Sequence, residues 1–223
     1  MAGCRPVENG KAVEARNLLD AAVTPGDCAR LPRWSAPAPG TFISSRYTSG
    51  SQRIEILMTV LTADDYVFEH SQIFRLGQGT QVQMENRAKL FGVLNQKVGS
   101  GSSLERTFVY PESPEALYGL NAGEAREFAV AERIKDRGRE VSTDHRFSIQ
   151  VLGCGTLKWE GGVEPVKAFK ADTASAGLDR DGNINAVGRD VITVYVAPRL
   201  GLPLLMVTEG GSREEVQTIR PPE

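Results

Sequence analysis

Residues 126–134 read REFAVAERI, and this stretch decides the class of fold. Phe128, Val130 and Ile134 share one side with Glu132, because every second residue of a β-strand points the same way. Strands with one apolar face and one solvent-exposed face are typical of antiparallel sheets. The stretch therefore predicts a strand of an antiparallel sheet.

Similar strand candidates follow one another from residue 41 onward. Short runs rich in β-branched and aromatic residues alternate with turn residues such as glycine and aspartate. No long helical stretch separates consecutive runs, which disfavours a parallel sheet. We therefore predict a mainly β protein with strands near residues 41–47, 53–61, 66–76, 81–94, 106–110, 127–134, 146–159, 166–172, 191–197, 202–208 and 215–219.

The N-terminal part of the chain has a different pattern. Apolar residues recur at helical spacing across residues 10–22, and Pro25-Gly26 would end a helix there. Residues 31–40 contain three prolines, which favour extended, unpaired backbone. We expect a tether, a short helix and a Pro-rich linker in residues 1–40, followed by an antiparallel β domain in residues 41–223.

The charge and hydropathy of the chain argue against nucleic-acid binding and against a membrane-spanning helix. The 26 basic and 28 acidic residues are interspersed and give a net charge of −2, so no basic footprint for a phosphate backbone is present. The longest apolar run, residues 54–61, is far shorter than the roughly 20 residues that cross a bilayer. We predict neither nucleic-acid binding nor a transmembrane segment.

The first four residues, Met1-Ala2-Gly3-Cys4, match three positions of the Leu-Ala-Gly-Cys tetrapeptide at which bacterial lipoprotein signals end. No leader of the usual charged and apolar layout precedes them, so the match has meaning only for a chain that continues upstream. In that case Cys4 would carry a lipid anchor. The alternative is a disordered N-terminus that contains a cysteine.

The other two cysteines are Cys28, in a loop-like segment, and Cys154, in a strand-like one. In an oxidising compartment a disulfide between them would tie the N-terminal segment to the sheet. Alternatively, Cys154 is a small buried hydrophobe and Cys28 a free thiol. Their spacing does not resemble a zinc site.

Residues for covalent chemistry are scarce. The two histidines, His70 and His145, have no companion at metal-ligand or triad-like spacing. Asp144 precedes His145 directly, and neighbours in a strand point to opposite faces. We expect His145 to be a solvent-exposed turn or edge residue and His70 to lie on a sheet face. We assign no catalytic residue and no cofactor, and enzymatic activity is unsupported.

One loop has the composition of a calcium site. Calcium ions take oxygen ligands from alternate positions of a tight loop. Ile184 stands where such a loop has its sharp-turn glycine, so the alternative is a β-hairpin loop with residues that accept left-handed backbone. The candidate ligands are Asp179, Asp181, Asn183, Asn185 and Asp190.

The order of features between residues 117 and 207 resembles an uncharacterised family of Gram-negative periplasmic proteins. The resemblance is carried by residues 117–124, by the strand at 166–171 and by the turn at 195–204, YVAPRLGLPL. Residues 160–164 replace the turn Thr-Pro-Ala-Gly that is usual in the family. These proteins are distantly similar to lipoprotein carriers, so the resemblance implies a curved antiparallel sheet or half-barrel with an apolar concave face.

The resemblance implies fold and compartment but transfers no catalytic residue. We predict a periplasmic or outer-membrane-anchored protein that binds a lipid-like or other apolar group without catalysis. One alternative is a structural or interaction lipoprotein of the envelope that has no small-molecule ligand. Another is a calcium-dependent glycan binder or hydrolase that uses the loop at residues 179–190. The expected partner is a lipid or another envelope component.

Overall fold

The computed structural model describes residues 28, 31–64, 67–76, 80–89, 92–98, 104–111, 115–136, 138–178 and 184–222. Within these ranges the chain forms twelve β-strands and one short helix, α1 (Glu115–Tyr118). The helix predicted for residues 10–22 lies outside the described residues. The strands are β1 (Phe42–Ser49), β2 (Gln52–Asp64), β3 (Val67–Leu76), β4 (Thr80–Lys89), β5 (Gly92–Val98), β6 (Leu104–Val109), β7 (Ala125–Asp136), β8 (Arg139–Trp159), β9 (Gly162–Leu178), β10 (Ile184–Ala197), β11 (Leu202–Thr208) and β12 (Arg213–Arg220).

The strands form one closed antiparallel barrel in which each strand pairs with its neighbours along the chain. The pairing of β1 with β12 closes the barrel, from Phe42 opposite Arg220 to Thr48 opposite Arg213. The mainly β class and the antiparallel sheet are therefore confirmed, but the sheet closes into a complete barrel, so the prediction of a half-barrel is wrong. Closure is favourable because it leaves no edge strand with a row of unpaired backbone groups.

The stretch that predicted the fold lies in β7, and its alternation is confirmed. Val130 and Glu132 are buried, whereas Ala129 and Arg133 are exposed. The side shared by Val130 and Glu132 faces the inside of the barrel, because the residues opposite them on β8 are buried as well. A carboxylate thus lies on the inner face.

The segment around α1 fills part of the barrel. Leu117 and Leu120 are buried in the same core as Phe169 of β9. Lys167, also in β9, donates hydrogen bonds from Nζ to the backbone carbonyls of Tyr118 and Leu120. Burial lowers the pKa of this lysine. Lysine is suited to this position because the last carbonyls of a helix have no partner within the helix.

No described helix is long and apolar enough to cross a membrane.

The barrel wall formed by β9 and β10 is packed on both faces. Successive residues of a strand point to opposite faces. Ala168 and Phe169 of β9 are nevertheless both fully buried, and so are Tyr195 and Val196 of β10. This part of the wall is therefore covered on the outside as well as filled on the inside.

A disulfide joins Cys28 to Cys154 of β8, the pair considered from the sequence, with Cα atoms 5.1 Å apart. Cys154 has no exposed surface. The two residues are 126 positions apart in the chain. In the chain-entropy model, a cross-link over such a long loop destabilises the unfolded state substantially.

We expect reduction of this disulfide to lower the free energy of unfolding by roughly 2–5 kcal/mol, because the unfolded chain regains the freedom of a long loop. The measurement is urea unfolding with and without dithiothreitol. In the control, the double variant Cys28→Ser, Cys154→Ala, dithiothreitol should have no effect. Equal stability of oxidised and reduced wild-type protein would contradict the prediction.

The turn between β10 and β11 holds the N-terminal segment close to the barrel. Gly201 has a φ of +71°, which disfavours residues with a side chain, and a Cβ built there would lie 2.1 Å from the carbonyl oxygen of Ser35. The Ser35 amide donates to the carbonyl of Pro198 at 3.4 Å. Glycine at 201 therefore permits both the chain reversal and the approach of this backbone.

Gly201→Ala should destabilise the protein by about 2 kcal/mol or more, since the new methyl group meets backbone atoms that cannot rotate away. Gly50→Ala is the matched control, because Gly50 also has a positive φ but a Cβ added to it would have no neighbouring atom within 4 Å. Thermal unfolding of both variants checks the prediction. A larger loss in Gly50→Ala than in Gly201→Ala would refute it.

Candidate functional site

A cavity of about 370 Å³ lies inside the barrel between strands β1 to β5 and β10 to β12. Small-molecule sites in proteins have volumes of about 300–1,000 Å³ and mostly apolar walls. Most of the lining here is apolar, and much of it belongs to the buried core. The apolar lining residues include Trp34, Ile43, Ile56, Met58, Phe68, Phe74, Ala88, Val194, Leu202, Leu204, Met206 and Val216.

Polar side chains of β3, β4 and β5 form one part of the wall. His70, Asn86 and Gln96 stand directly opposite one another on three adjacent strands. Asn86 Nδ2 lies 3.2 Å from His70 Nε2, and Gln96 Nε2 donates to Asn86 Oδ1 at 3.1 Å. Asn86 also donates to Gln72 Oε1 at 2.9 Å. Such cross-strand hydrogen bonds satisfy polar groups that the closed barrel removes from water.

The row of polar groups continues beyond the cavity into β6, β7 and β8. Arg106 stands opposite Gln96 and donates from Nη1 to Gln96 Oε1 at 3.4 Å. Its Nε donates to Glu132 Oε1, and His145 Nε2 donates to Glu132 Oε2 at 2.6 Å. The row crosses six adjacent strands. We name it the polar belt, and its six residues are His70, Asn86, Gln96, Arg106, Glu132 and His145.

The carboxylate in the polar belt requires both of its partners. Glu132 is 1% exposed, and an unpaired buried charge costs several kcal/mol. Arg106 supplies the opposite charge and His145 a second donor. A carboxylate beside a histidine is also an arrangement used in acid–base catalysis. However, the described lining of the cavity includes neither Glu132 nor His145.

Two unpartnered nitrogen atoms belong to residues that line the cavity. His70 Nδ1 and Trp34 Nε1 are buried and have no hydrogen-bond partner among the described residues. Burial lowers the pKa of His70 to about 4, so its imidazole is neutral near pH 7. Buried donors of this kind usually find a partner, and an unsatisfied one costs about 1–3 kcal/mol.

Among the described residues that line the cavity, Glu214 of β12 is the one that carries a carboxyl group. Ser45 Oγ donates to Glu214 Oε1 at 2.8 Å. Burial raises the pKa of Glu214, because the charged form loses its hydration. None of the described lining residues is a lysine or an arginine. The described cavity wall therefore offers no cation to offset a negative charge.

The residues predicted from the sequence lie elsewhere. Cys4, Asp179, Asp181 and Asn183 lie outside the described residues. Asn185 belongs to β10, and Asp190 is exposed on the same strand. Within the described ranges, no group of three or more His, Cys, Asp or Glu side chains could hold a metal ion.

The expectation for His145 is wrong. It is buried in the interior of β8 rather than exposed at a turn or an edge, because β8 begins at Arg139 and its inner face is enclosed by the barrel. Its partner is Glu132 on the neighbouring strand, while Asp144 is exposed on the opposite face. The signal in the sequence was Glu132 itself, a carboxylate in phase with the apolar residues of its strand.

Two solved structures share this architecture. A protein of Bacteroides fragilis, described as exported and as having a YmcC-like fold, matches with a TM-score of 0.54 and 12% identity over 84% of this chain and 99% of that protein. A protein of Parabacteroides distasonis, described as a lipoprotein, matches with a TM-score of 0.57 and 8% identity over 85% of this chain and 99% of that one. This chain has their fold. The resemblance to exported β-sheet proteins is thereby confirmed at the level of the fold.

No family model matches the chain, and no curated protein matches it.

The burial of neutral His70 should make stability depend on pH. The unfolded state takes up a proton near pH 6.5, whereas the folded state resists it down to about pH 4. The free energy of unfolding should therefore fall by roughly 3 kcal/mol as the pH decreases through this window. His70→Gln keeps an acceptor for Asn86 and lacks this contribution.

The measurement is urea unfolding of the wild-type protein and His70→Gln between pH 7.5 and pH 4. The raised pKa of Glu214 acts in the opposite direction in both proteins and cancels in the difference. We expect His70→Gln to become more stable relative to the wild type as the pH falls. Parallel curves would show that His70 does not resist protonation.

Proposed function

We propose that this protein is a non-catalytic binding module of the bacterial envelope that holds a lipid-like or other apolar group inside its barrel. The observation that carries this proposal is the cavity of about 370 Å³ with mostly apolar walls. Close packing normally leaves few voids larger than a water molecule in a protein interior. An apolar cavity of this size supports a binding role, because a purely structural barrel gains stability by filling its core.

The polar groups of the cavity support binding without covalent chemistry. Ser45 is hydrogen bonded to Glu214 rather than to a histidine. The carboxylate–histidine pair of Glu132 and His145 lies farther along the polar belt. A nucleophile and its base must be within hydrogen-bond reach of each other and of the substrate. The described cavity residues fit recognition better than such a reaction.

An envelope location has two independent supports. The disulfide between Cys28 and Cys154 is of a kind that persists in oxidising compartments such as the periplasm. The two proteins that share the fold are described as exported and as a lipoprotein. We propose a periplasmic or outer-membrane-anchored protein in which the N-terminal segment, whose residues near Trp34 pack against the barrel, tethers the β domain to Cys4 as the anchoring residue.

The test is binding of the fluorescent apolar probe N-phenyl-1-naphthylamine. We expect saturable binding with one site per chain, because the apolar walls of the cavity can cover the aromatic rings of the probe. Ala88→Phe and Met58→Trp place bulky rings in the cavity wall and should each weaken binding at least tenfold. Ala129→Phe is the matched control, since Ala129 is exposed on the outside of β7.

Circular dichroism verifies that each variant is folded. Non-saturable binding, or equal affinity in the wild-type protein and all three variants, would favour the alternative function, a structural lipoprotein that has no small-molecule ligand. Mass spectrometry of organic extracts of protein purified from the periplasm provides a second measurement, in which a bound lipid is expected. Loss of probe binding or of thermal stability on chelation would favour the calcium-dependent alternative, whose loop includes Asp179 and Asp181.

A further inference from the structure

Two segments cover one end of the barrel. Odd-numbered strands begin and even-numbered strands finish at this end, because consecutive strands are antiparallel. The connection between β6 and β7, which contains α1, therefore lies there, and so does the segment that precedes β1. We name residues 31–40 of that segment the strap. The ring centroids of Trp34 in the strap and Tyr118 in α1 are 6.3 Å apart, so the two segments meet. We name this end of the barrel the covered end.

The strap is attached to the barrel on both sides and near its middle. Cys28, which precedes it, is bonded to Cys154 in the last third of β8, and the strap itself leads into β1. The Ser35 amide donates to the carbonyl of Pro198, directly after the last residue of β10. All these attachments lie at the covered end. Trp34 is 6% exposed and lines the cavity, so a side chain of the strap closes the cavity there.

Exposure of the cavity wall increases away from the covered end. On β3 the wall runs from buried Phe68, near the covered end, to half-buried Phe74. On β11 it runs from buried Leu202 to half-buried Met206. Glu214 of β12 stands opposite Met206 and is half-buried as well. Solvent therefore reaches the cavity wall from the side that lies away from the strap, which we name the opening.

The cavity is long, and its polarity changes along its length. Phe68 and Phe74 are six residues apart on β3, which corresponds to roughly 20 Å along the strand. Near the opening the wall includes the polar side chains of Gln72 and Glu214. The polar belt crosses the wall at an intermediate level, where its side chains are hydrogen bonded to one another. At the covered end the lining side chains are apolar: Trp34, Phe68, Ala88 and Leu202.

We propose that the cavity is a pocket closed at one end that takes an amphiphile apolar chain first, with the end of the chain against Trp34 and the polar head at the opening, on the level of Gln72 and Glu214. This inference rests on the proposed function and specifies the class and the orientation of its ligand. The elongated cavity suits an extended chain. The reverse orientation would bury the head group among apolar side chains, where it would lose its hydration without gaining a partner.

Two brominated alcohols of equal chain length test the orientation. One is ω-bromododecanol, with bromine on the last carbon, and the other is β-bromododecanol, with bromine next to the carbon that bears the hydroxyl group. Bromine quenches tryptophan fluorescence at close contact. The chain has two tryptophans, so Trp159→Phe leaves Trp34 as the reporter. At saturation, established by displacement of N-phenyl-1-naphthylamine, we expect ω-bromododecanol to quench Trp34 severalfold more strongly than β-bromododecanol.

Trp34→Phe is the matched control. It leaves Trp159 as the reporter, and Trp159 is not among the described residues that line the cavity. Both alcohols should quench this variant weakly and to the same extent. Neither substitution breaks a hydrogen bond within the described part of the chain, because both indole nitrogens lack a partner there.

A chain-length series provides a second measurement that needs no tryptophan variant. In calorimetric titrations with unbranched alcohols from hexanol to decanol, the affinity should rise severalfold with each methylene, because each one is buried farther toward the strap. Ala88→Phe places a ring near the covered end and should stop this rise at a shorter chain. Met206→Ala, near the opening, is the matched control and should weaken the binding of all chains by a similar factor.

The outcomes distinguish the inference from the function on which it rests. Equal quenching of Trp34 by the two alcohols, or stronger quenching by β-bromododecanol, overturns the proposed orientation and leaves apolar binding intact. A chain-length dependence that Ala88→Phe leaves unchanged does the same. Bound alcohols that do not quench Trp34 overturn its place at the closed end of the pocket. Failure of the alcohols and of N-phenyl-1-naphthylamine to bind overturns the proposed function, and the inference with it.

Discussion

Burial of the Glu132 carboxylate inside the barrel wall constrains the arrangement of much of the interior. Its charge is balanced by Arg106, and His145 supplies a second hydrogen bond. Because a guanidinium has several donors and no acceptor, Arg106 also requires an acceptor on its other side, and Gln96 supplies it. Each polar side chain of the belt then satisfies the next across neighbouring strands. The row ends at His70, whose Nδ1 has no partner among the described residues.

This constraint divides the inside of the barrel into two unlike halves. The strands from β3 to β8 contribute the polar belt, whereas β10 to β12 and β1 to β2 contribute mostly apolar side chains to the cavity. The wall formed by β9 and β10 is buried on both faces, which makes that side of the barrel firmly packed. The interior thus places a polar wall of hydrogen-bonded side chains opposite a packed apolar wall.

The sequence predicted the local structure better than the long-range pairing. Alternation and turn residues located most strands because both signals are local. The run at residues 81–94 is an exception: it is divided between β4 and β5, and the two residues that separate these strands, Leu90 and Phe91, are apolar and gave no signal of a break in the sequence. Closure of the sheet could not be predicted, because the pairing of β1 with β12 joins distant segments that carry no mutual signal.

The candidate site was harder to predict for the same reason. A strand face that carries His70, Gln72 and Asn86 has the composition of a solvent-exposed face. Only closure of the barrel turns that face inward. The partner of His145 was equally hidden, because register across β7 and β8 decides that it meets Glu132. The two cysteines could be named as a pair from the sequence, since few pairs were available. The apolar cavity depends on packing volumes that no sequence pattern encodes.

Pairing of the first described strand with the last has a consequence for the order of folding. The hairpins can form from neighbouring segments, but β1 must wait for β12, so the final step joins residues of very large sequence separation. Contacts of this kind make folding slow, and until they form both β1 and β12 present open edges that can pair with other chains. We therefore expect closure late in folding, and until it occurs the edges of β1 and β12 are free to pair with other chains.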